Sequence, residues 1–301
     1  MKKLIKVLRV LLMIILLLAG VGILLYPDFA NWVESRRHVG FIQQYNADVA
    51  LLREAEIAYE FERARIFNAG ITDISINDPW GEGANDVTGT AEYYTLLRFG
   101  TSGIMGQLEI PRIRVDLPIF HGSTNAVLDR GVGHMPHTSL PIGGYGNHSL
   151  LTAHTGMVRA RLFTDLIELT YGDYFIVTIA GQRLLYEVDR IDRFYPHQID
   201  VLNTYIDRDL ITLITCTPYA VNSHRLLVRG TRIPYHEDIF EDIEPIANEL
   251  NIRHLAVIGI LSFMTLISIF KWIRAKKRKK ARKLMDLKHE KEYSEIFGDK
   301  E

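Results

Sequence analysis

Short β-type segments follow one another through the middle of this 301-residue chain. Residues 108–119 largely alternate apolar and polar side chains with a period of two, the pattern of a half-buried strand. The other strand-like segments are 147–154, 174–180, 183–194, 210–215 and 225–232. We expect seven or eight strands of this length in the whole domain, with only short helical inserts such as residues 163–169. This pattern predicts a mainly β fold whose strands close into an antiparallel barrel.

An apolar run near the N-terminus predicts a membrane anchor. Residues 10–26 contain no charged side chain and follow four basic residues. The run is longer than the apolar region of most signal peptides, and no small-x-small cleavage site follows its apolar residues at Tyr26, Pro27 and Asp28. We therefore expect an uncleaved membrane helix within residues 1–26, with a cleaved signal peptide as the alternative.

A second uncharged apolar run, residues 255–270, comes directly before nine basic residues within positions 271–283. A basic run alone is typical of a nucleic-acid patch, but after an apolar segment it is more typical of the cytoplasmic flank of a membrane helix. We therefore predict a second membrane helix over residues 255–273 and a basic cytoplasmic tail over residues 274–301. Both termini are then expected in the cytoplasm.

The segment between the two apolar runs is strongly acidic. The whole chain has a formal net charge of −1, and charges of +4 on residues 1–26 and +6 on residues 271–301 leave −11 for the segment between them. A domain with this charge is not expected to bind nucleic acid. The two predicted membrane helices place it outside the cell.

Differences in composition along that exterior segment predict a helical segment, a long loop, the barrel and a linker, in that order. Residues 27–68 carry apolar side chains at helical spacing and predict a helical segment that forms a stalk or packs on the domain. Residues 69–89 are rich in Gly, Asn, Asp, Thr and Pro, so they predict a long loop, and loops of this length are often functional. The barrel is expected over residues 90–240, followed by a linker over residues 241–254.

Asp78, Pro79 and Trp80 stand together in the loop of residues 69–89. A tryptophan in a polar loop is costly to expose, so we expect its ring to dock elsewhere on the protein. Pro79 stiffens the chain next to it. The alternative is an ordinary turn whose tryptophan ring lies in the core.

Cys216 is the only cysteine, and it lies near the end of an apolar, β-branched segment that stops before Pro218. A thiol is nucleophilic only as the thiolate, which requires a nearby imidazole or cation. His154, at the end of another predicted strand, supplies an imidazole, and Arg225 supplies a cation suited to a developing oxyanion. Arg229 is an alternative cation, because residues four apart in a strand point to the same face. A buried, inert cysteine is the alternative to all of this chemistry.

Four further histidines raise the question of a metal site. They are His121, His134, His137 and His148. Their positions lack the tight spacing of a metal-ligating pair on one helix, so we expect ordinary loop and strand histidines and no bound metal.

Several motifs together resemble those of sortases, the membrane-anchored cysteine transpeptidases of Gram-positive bacteria. They are residues 212–216, the strand that ends at His154, and an arginine nine positions after Cys216. The resemblance covers residues 107–235. Residues 117–122, 131–134 and 216–230 are similar to the pilus-assembling class C branch, as are the second apolar run and the Asp-Pro-Trp sequence. Ala153, where glycine is common, and residues 157–159 depart from the family pattern.

The resemblance implies a specific reaction. Cys216 would attack the threonine carbonyl of a Leu-Pro-x-Thr-Gly-like sorting signal, His154 would protonate the leaving glycine amine, and Arg225 would hold the substrate and the oxyanion. Thr215 and Thr217, on either side of the cysteine, would bind substrate. A lysine amine of a second pilin subunit would then resolve the thioacyl enzyme, so that pili are polymerised without a metal or organic cofactor.

The resemblance also implies how the site is controlled. The loop would fold over the site as a lid, with Trp80 near Cys216 and Asp78 paired with Arg225. The enzyme is expected to be a monomer in the cell membrane, acting on pilin subunits. A housekeeping sortase that attaches surface proteins to the cell wall, and a non-catalytic membrane-tethered β domain, are the two alternatives.

Overall fold

The computed structural model describes residues 2–71, 80, 90–198 and 208–236, together with separate positions between 255 and 285. Residues 1–26 and 248–301 form one unit, and residues 27–247 form a second. We describe each unit by itself.

The first unit contains the start of helix α1 (Lys2–Ala50). The segment Leu11–Ala50 of this helix is long and apolar enough to cross a membrane, with a mean hydropathy of 2.3 in its most apolar window. The described positions between 255 and 285 are also helical, but they are interrupted by positions outside the described residues. A candidate N-terminal anchor is therefore present, and the predicted second membrane helix is not shown.

The second unit contains the rest of α1, helix α2 and a β-barrel. The elements are α2 (Glu54–Ala69), β1 (Ile104–Ile110), β2 (Val115–His121), α3 (Asn125–Leu128), β3 (Val132–His134), β4 (His148–Thr152), β5 (Tyr174–Ile179), β6 (Gln182–Phe194), β7 (Leu210–Thr217) and β8 (His224–Ile233). Short 3-10 turns form at Tyr93–Thr95, Pro111–Ile113 and Thr164–Glu168. The helical insert expected over residues 163–169 is the last of these.

The eight strands close into a barrel in the order β1-β2-β3-β4-β7-β8-β6-β5. The prediction of a mainly β, closed barrel is therefore confirmed. Strand β3 was not predicted, because its glycine-rich sequence over residues 128–134 is typical of a turn. Its burial on all three residues shows that tertiary contacts override that local tendency.

The expectation of purely antiparallel pairing needs a correction. Six of the eight pairings are antiparallel, but β2 pairs with β3 and β4 pairs with β7 in parallel. Two consecutive parallel strands require a connection that carries the chain back to the end of the barrel where the first strand began. The turn containing α3 provides this return between β2 and β3, and the excursion through β5 and β6 provides it between β4 and β7.

The helices of the second unit pack on the barrel through buried polar contacts. The Tyr45 hydroxyl in α1 donates a hydrogen bond to the Met105 carbonyl at 3.0 Å and accepts one from the Ala180 amide at 2.8 Å. Asn68 in α2 bonds both the amide and the carbonyl of Leu140, at 2.7 and 3.1 Å. Each contact joins a helix to a distant part of the barrel chain, so helices and barrel form one packed body.

Candidate active site

Strand β7 places Cys216 at one end of the barrel. All eight residues of this strand are buried, because β4 and β8 flank it and side chains cover both of its faces. Cys216 itself is 7% exposed. The strand ends at Thr217, before Pro218, as the sequence predicted, because proline cannot donate to a β ladder.

Arg225 lies directly opposite Cys216 in the antiparallel pairing of β7 and β8. Its guanidinium Nη1 donates to the backbone carbonyls of Asn222 at 3.0 Å and His224 at 3.2 Å, both at the turn that begins β8. These backbone contacts hold the guanidinium at the same end of the barrel as the thiol. A fixed, planar cation at this position is suited to binding a carbonyl oxygen that becomes negatively charged.

Arg229, the alternative cation, binds the carboxylate of Asp189. Its guanidinium makes two parallel hydrogen bonds to Asp189, both of 2.9 Å, and Thr231 donates a third to the same carboxylate at 2.8 Å. Burial tends to raise the pKa of Asp189, but these hydrogen bonds outweigh it and lower the pKa. Arg229 faces Thr212, about 13 Å from Arg225 along the strand. The geometry therefore favours Arg225 beside Cys216.

His154 lies two residues beyond β4. Parallel pairing aligns Thr152 of β4 with Ile214 of β7, so the chain that leaves β4 runs beside the end of β7. The Thr215 hydroxyl donates to the carbonyl of Ala153 at 2.8 Å, and the Ala153 amide donates to Ile214 at 3.4 Å. These bonds fix the backbone next to His154 relative to the strand that carries Cys216.

Trp80 occupies the space between His154 and Arg225. Its indole Nε1 donates a hydrogen bond to Nδ1 of His154 at 3.1 Å, and the Arg225 guanidinium carbon lies 5.0 Å from the centre of its ring. The ring also packs on a buried apolar cluster formed by Met135, Leu150, Phe194, Ile214 and Leu227. Trp80 therefore docks at the site rather than in the main core. Asp78 and Pro79 lie outside the described residues.

Comparison with known proteins shows which family the chain belongs to. A family model described as the sortase domain matches residues 108–233. Sortase C1 of Streptococcus agalactiae is 40% identical over 67% of this chain and 99% of its own, with a TM-score of 0.61. The chain belongs to the sortase family. Sortase C-1 of Streptococcus pneumoniae is 42% identical, covering 65% of this chain and 98% of its own, with a TM-score of 0.61.

Other relatives match the sortase domain less extensively. Sortase A of Streptococcus agalactiae is 29% identical over 38% of this chain and 47% of its own length. Sortase A of Bacillus anthracis is 28% identical over 42% of this chain and 59% of its own length. The chain thus spans about half the length of these curated relatives, whereas it spans almost all of the solved class C structures.

Two charged residues of this sortase domain approach His154 without having been predicted there. Asp129, which follows α3, has one carboxylate oxygen 4.0 Å from Nε2 of His154 and the other 2.9 Å from the Arg159 guanidinium. Burial lowers the pKa of His154, Asp129 raises it and Arg159 lowers it, with a net lowering. Asp129 and His154 are far apart in sequence, so no local pattern signals their contact.

The two threonines beside the thiol are both buried. Thr215 is 1% exposed and Thr217 is 4% exposed. The hydroxyl of Thr215 donates its hydrogen bond to the carbonyl of Ala153. Contact of either threonine with substrate stays a prediction.

Three of the four histidines considered for a metal site lie within hydrogen-bonding distance of protein groups. A ring nitrogen of His121 lies 2.7 Å from the Leu96 carbonyl, His134 contacts the Tyr93 hydroxyl at 2.9 Å, and His148 contacts the Thr212 hydroxyl at 2.8 Å. Burial lowers the pKa of His134 to about 3 and that of His148 to about 4, so both rings are neutral. Within the described part of the chain, no group of three or more His, Cys, Asp or Glu side chains is placed to hold a metal ion.

Proposed function

We propose that this protein is a membrane-anchored cysteine transpeptidase that joins pilin subunits. The observation that carries the proposal is the pairing of Cys216 and Arg225 across β7 and β8, with His154 fixed beside the end of β7. Likeness to sortase C1 of a pilus island supports the pilin substrate, at 40% identity over 94% of that chain. Cys216, His154 and Arg225 are the catalytic residues in this proposal.

In the first half of the reaction, the Cys216 thiolate attacks the threonine carbonyl carbon of a Leu-Pro-x-Thr-Gly-like sorting signal. A carbon–sulfur bond forms, and Arg225 stabilises the negative charge that develops on the carbonyl oxygen. The threonine–glycine bond then breaks as protonated His154 gives its proton to the leaving amine. The product is a thioester between the pilin and Cys216.

In the second half, the neutral side-chain amine of a pilin lysine attacks the thioester carbon. The new carbon–nitrogen bond forms as the carbon–sulfur bond breaks, which releases the Cys216 thiolate. His154 accepts the proton that the amine loses, so the imidazolium is restored for the next cycle. An isopeptide bond then joins the two subunits.

Trp80 is the part of the proposed lid that the structure describes. With its ring between His154 and Arg225, substrate cannot approach both side chains while Trp80 remains in place. We expect Asp78 and Pro79 to belong to the same lid. Thr215 and Thr217 are expected to shape the substrate site from either side of the thiol.

The proposed topology places the barrel outside the cell. The N-terminal apolar helix supports an anchor, and the basic residues at positions 2–9 support a cytoplasmic N-terminus. The sequence of residues 255–283 supports a second span followed by a cytoplasmic tail.

The test supplies two different amine acceptors in separate reactions. Full-length protein in detergent is incubated with pilin subunits bearing a sorting signal, and separately with the same signal and a cell-wall-precursor amine. Covalent pilin ladders that disappear with Cys216→Ala are the expected result. Attachment to the precursor alone would assign the housekeeping function, and covalent products that persist with Cys216→Ala would exclude the cysteine mechanism.

A further inference from the structure

The imidazole of His154 has two distinct sides. Trp80 donates to Nδ1 at 3.1 Å, so Nδ1 is an acceptor and the ring proton of the neutral imidazole is on Nε2. Trp80 also contacts Arg225, the cross-strand neighbour of Cys216. Nδ1 therefore faces the space between the histidine and Arg225, where a substrate must lie. Nε2 faces away from that space.

The side chain on the Nε2 side is Asp129. Its Oδ1 lies 4.0 Å from Nε2, which is too long for a direct hydrogen bond, so the carboxylate acts on the ring through its charge. A negative charge beside Nε2 stabilises a proton on that nitrogen and leaves Nδ1 to exchange protons with the thiol and the amine. This is the arrangement in which a carboxylate orients a catalytic imidazole from behind.

The position of Asp129 is set by close packing around it. The Asp129 amide donates to the Asn125 carbonyl at 2.9 Å, which completes the turn of α3. The guanidinium of Arg130 lies 4.4 Å from the ring centre of Phe120. A Cβ atom at Gly131 would lie 2.7 Å from the Pro118 carbonyl oxygen, so the chain after Asp129 approaches β2 as closely as only glycine allows.

Arg159 holds the second oxygen of the same carboxylate. Its Nη2 lies 2.9 Å from Oδ2 of Asp129, and its own loop is attached to α1 where the Arg161 amide donates to Asn31 at 2.9 Å. Asp129 thus lies between the imidazole and a guanidinium. The two charges have opposite effects on a proton at His154.

We propose that Asp129 is a positioning residue that orients His154 and stabilises its protonated form, and that Arg159 limits this effect by sharing the carboxylate. The proposal rests on the proposed transpeptidase chemistry, in which His154 acts as acid and base. Among the described residues, Arg225 lies across Trp80 from the histidine, and Cys216 lies at the end of β7, the strand beside the chain that carries His154.

The test compares Asp129→Asn with Arg159→Gln in the full-length protein. The first measurement is the titration midpoint of His154 by NMR, assigned by difference with His154→Gln, and it requires no substrate. Removing the carboxylate should lower the midpoint, and removing the guanidinium should raise it. The double variant should move back toward the wild type, because both charges are absent.

The second measurement is the pH profile of transpeptidation with a sorting peptide and an amine. Loss of the protonated imidazole limits the reaction at high pH, so the alkaline limb should move to lower pH in Asp129→Asn and to higher pH in Arg159→Gln. On that limb we expect rates to change by roughly 1.5- to 5-fold in opposite directions, the range for one exposed ion pair.

A purely structural role gives a different pattern. If Asp129 only fastens the turn after α3 to the Arg159 loop, both variants lose thermal stability alike and leave the His154 midpoint in place, and that result would overturn the proposal. Failure of the proposed function is separate, because it would abolish product in the wild type without affecting the NMR titration. Asp129 is half-exposed, so the asparagine variant is expected to fold.

Discussion

Arg225 and Arg229 lie on the same face of β8, yet they differ in what they bind. Arg225 is held by backbone carbonyls opposite Cys216, whereas Arg229 is held by two hydrogen bonds to Asp189. A guanidinium paired with a carboxylate stabilises an oxyanion less well, because the carboxylate compensates its positive charge. At the scale of single residues, the partner of each arginine therefore decides its role.

The different partners of Arg225 and Arg229 predict that their removal affects different properties, catalysis for Arg225 and stability for Arg229. Arg225→Ala should lower kcat by a factor on the order of 10² or more, because it removes the oxyanion partner. Arg229→Ala should lower the free energy of unfolding by about 1.5 to 3 kcal/mol, because it removes hydrogen bonds to a charged group. Peptide cleavage rates and thermal melts of the two variants, side by side, provide the measurement.

Each variant serves as the control for the other. A catalytic loss in Arg229→Ala that exceeds the loss in Arg225→Ala, with both proteins folded, would transfer the oxyanion role to Arg229. Arg225→Lys is a further check, because lysine keeps the charge but cannot reproduce the planar set of donors.

At the scale of elements, Trp80 packs against side chains from four strands of the barrel. The buried cluster beneath its ring comes from β4, β6, β7 and β8, with Met135 just after β3. Among the described residues, Trp80 makes a hydrogen bond to His154, a cation–π contact with Arg225 and contacts with this apolar surface. The hydrogen bond depends on the protonation state of His154, because an imidazolium carries a proton on Nδ1 and cannot accept a hydrogen bond there.

Removing the indole should open the site. The hydrogen bond and the cation–π contact together are worth about 1 to 2.5 kcal/mol, so Trp80→Ala should speed alkylation of Cys216 by a small thiol reagent about 5- to 70-fold at neutral pH. Trp80→Phe keeps an aromatic ring without the N–H donor and should lie between wild type and Trp80→Ala. Equal alkylation rates in all three proteins would show that Trp80 does not cover this cysteine.

The same contact predicts a pH dependence with a definite sign. The docked state lowers the pKa of His154 through burial, so it binds fewer protons than the open state and is favoured as pH rises. As pH falls below the ordinary pKa of a histidine and reaches the lowered pKa of His154 in the docked state, His154 becomes protonated. Protonation breaks the hydrogen bond from Trp80. The ratio of alkylation rates between Trp80→Phe and wild type should therefore approach one at acidic pH. A ratio that stays constant would exclude this linkage.

At the scale of the whole molecule, chemistry and attachment are assigned to different units. The barrel unit of residues 27–247 carries the proposed catalytic side chains, and the other unit carries the apolar N-terminal residues. The basic run after residue 270 predicts the orientation, because positive flanks remain on the cytoplasmic side of a membrane.

The orientation is tested by protease access in intact cells. External protease should degrade the acidic segment of residues 27–247 slowly, as a folded exterior domain, and should leave an epitope on the tail of residues 274–301 untouched. Permeabilised cells are the control, in which the tail epitope should be lost. Digestion of the tail in intact cells would exclude the topology with two spans.

Local sequence patterns were sufficient to predict most of the barrel strands and the end of β7, but not β3. They also gave residues 108–119 as one strand, whereas the 3-10 turn Pro111–Ile113 divides this segment between β1 and β2. The alternation of apolar residues and the proline after Thr217 act within a few residues, so they are visible without the fold. The lone Cys216 and its spacing to Arg225 are likewise sequence properties, since two antiparallel strands joined by a short turn place such residues opposite each other.

Contacts between distant segments required the tertiary structure. The parallel pairing of β4 with β7 brings His154 to the end of the cysteine strand, and Asp129 reaches its ring through the turn that joins β2 to β3. The docking of Trp80 over Arg225, and the capture of Arg229 by Asp189, are of the same kind. Side-chain alternation makes Arg225 and Arg229 equivalent in the sequence, whereas strand register and the neighbours of each guanidinium distinguish them, because those neighbours come from parts of the chain that meet only in the folded barrel.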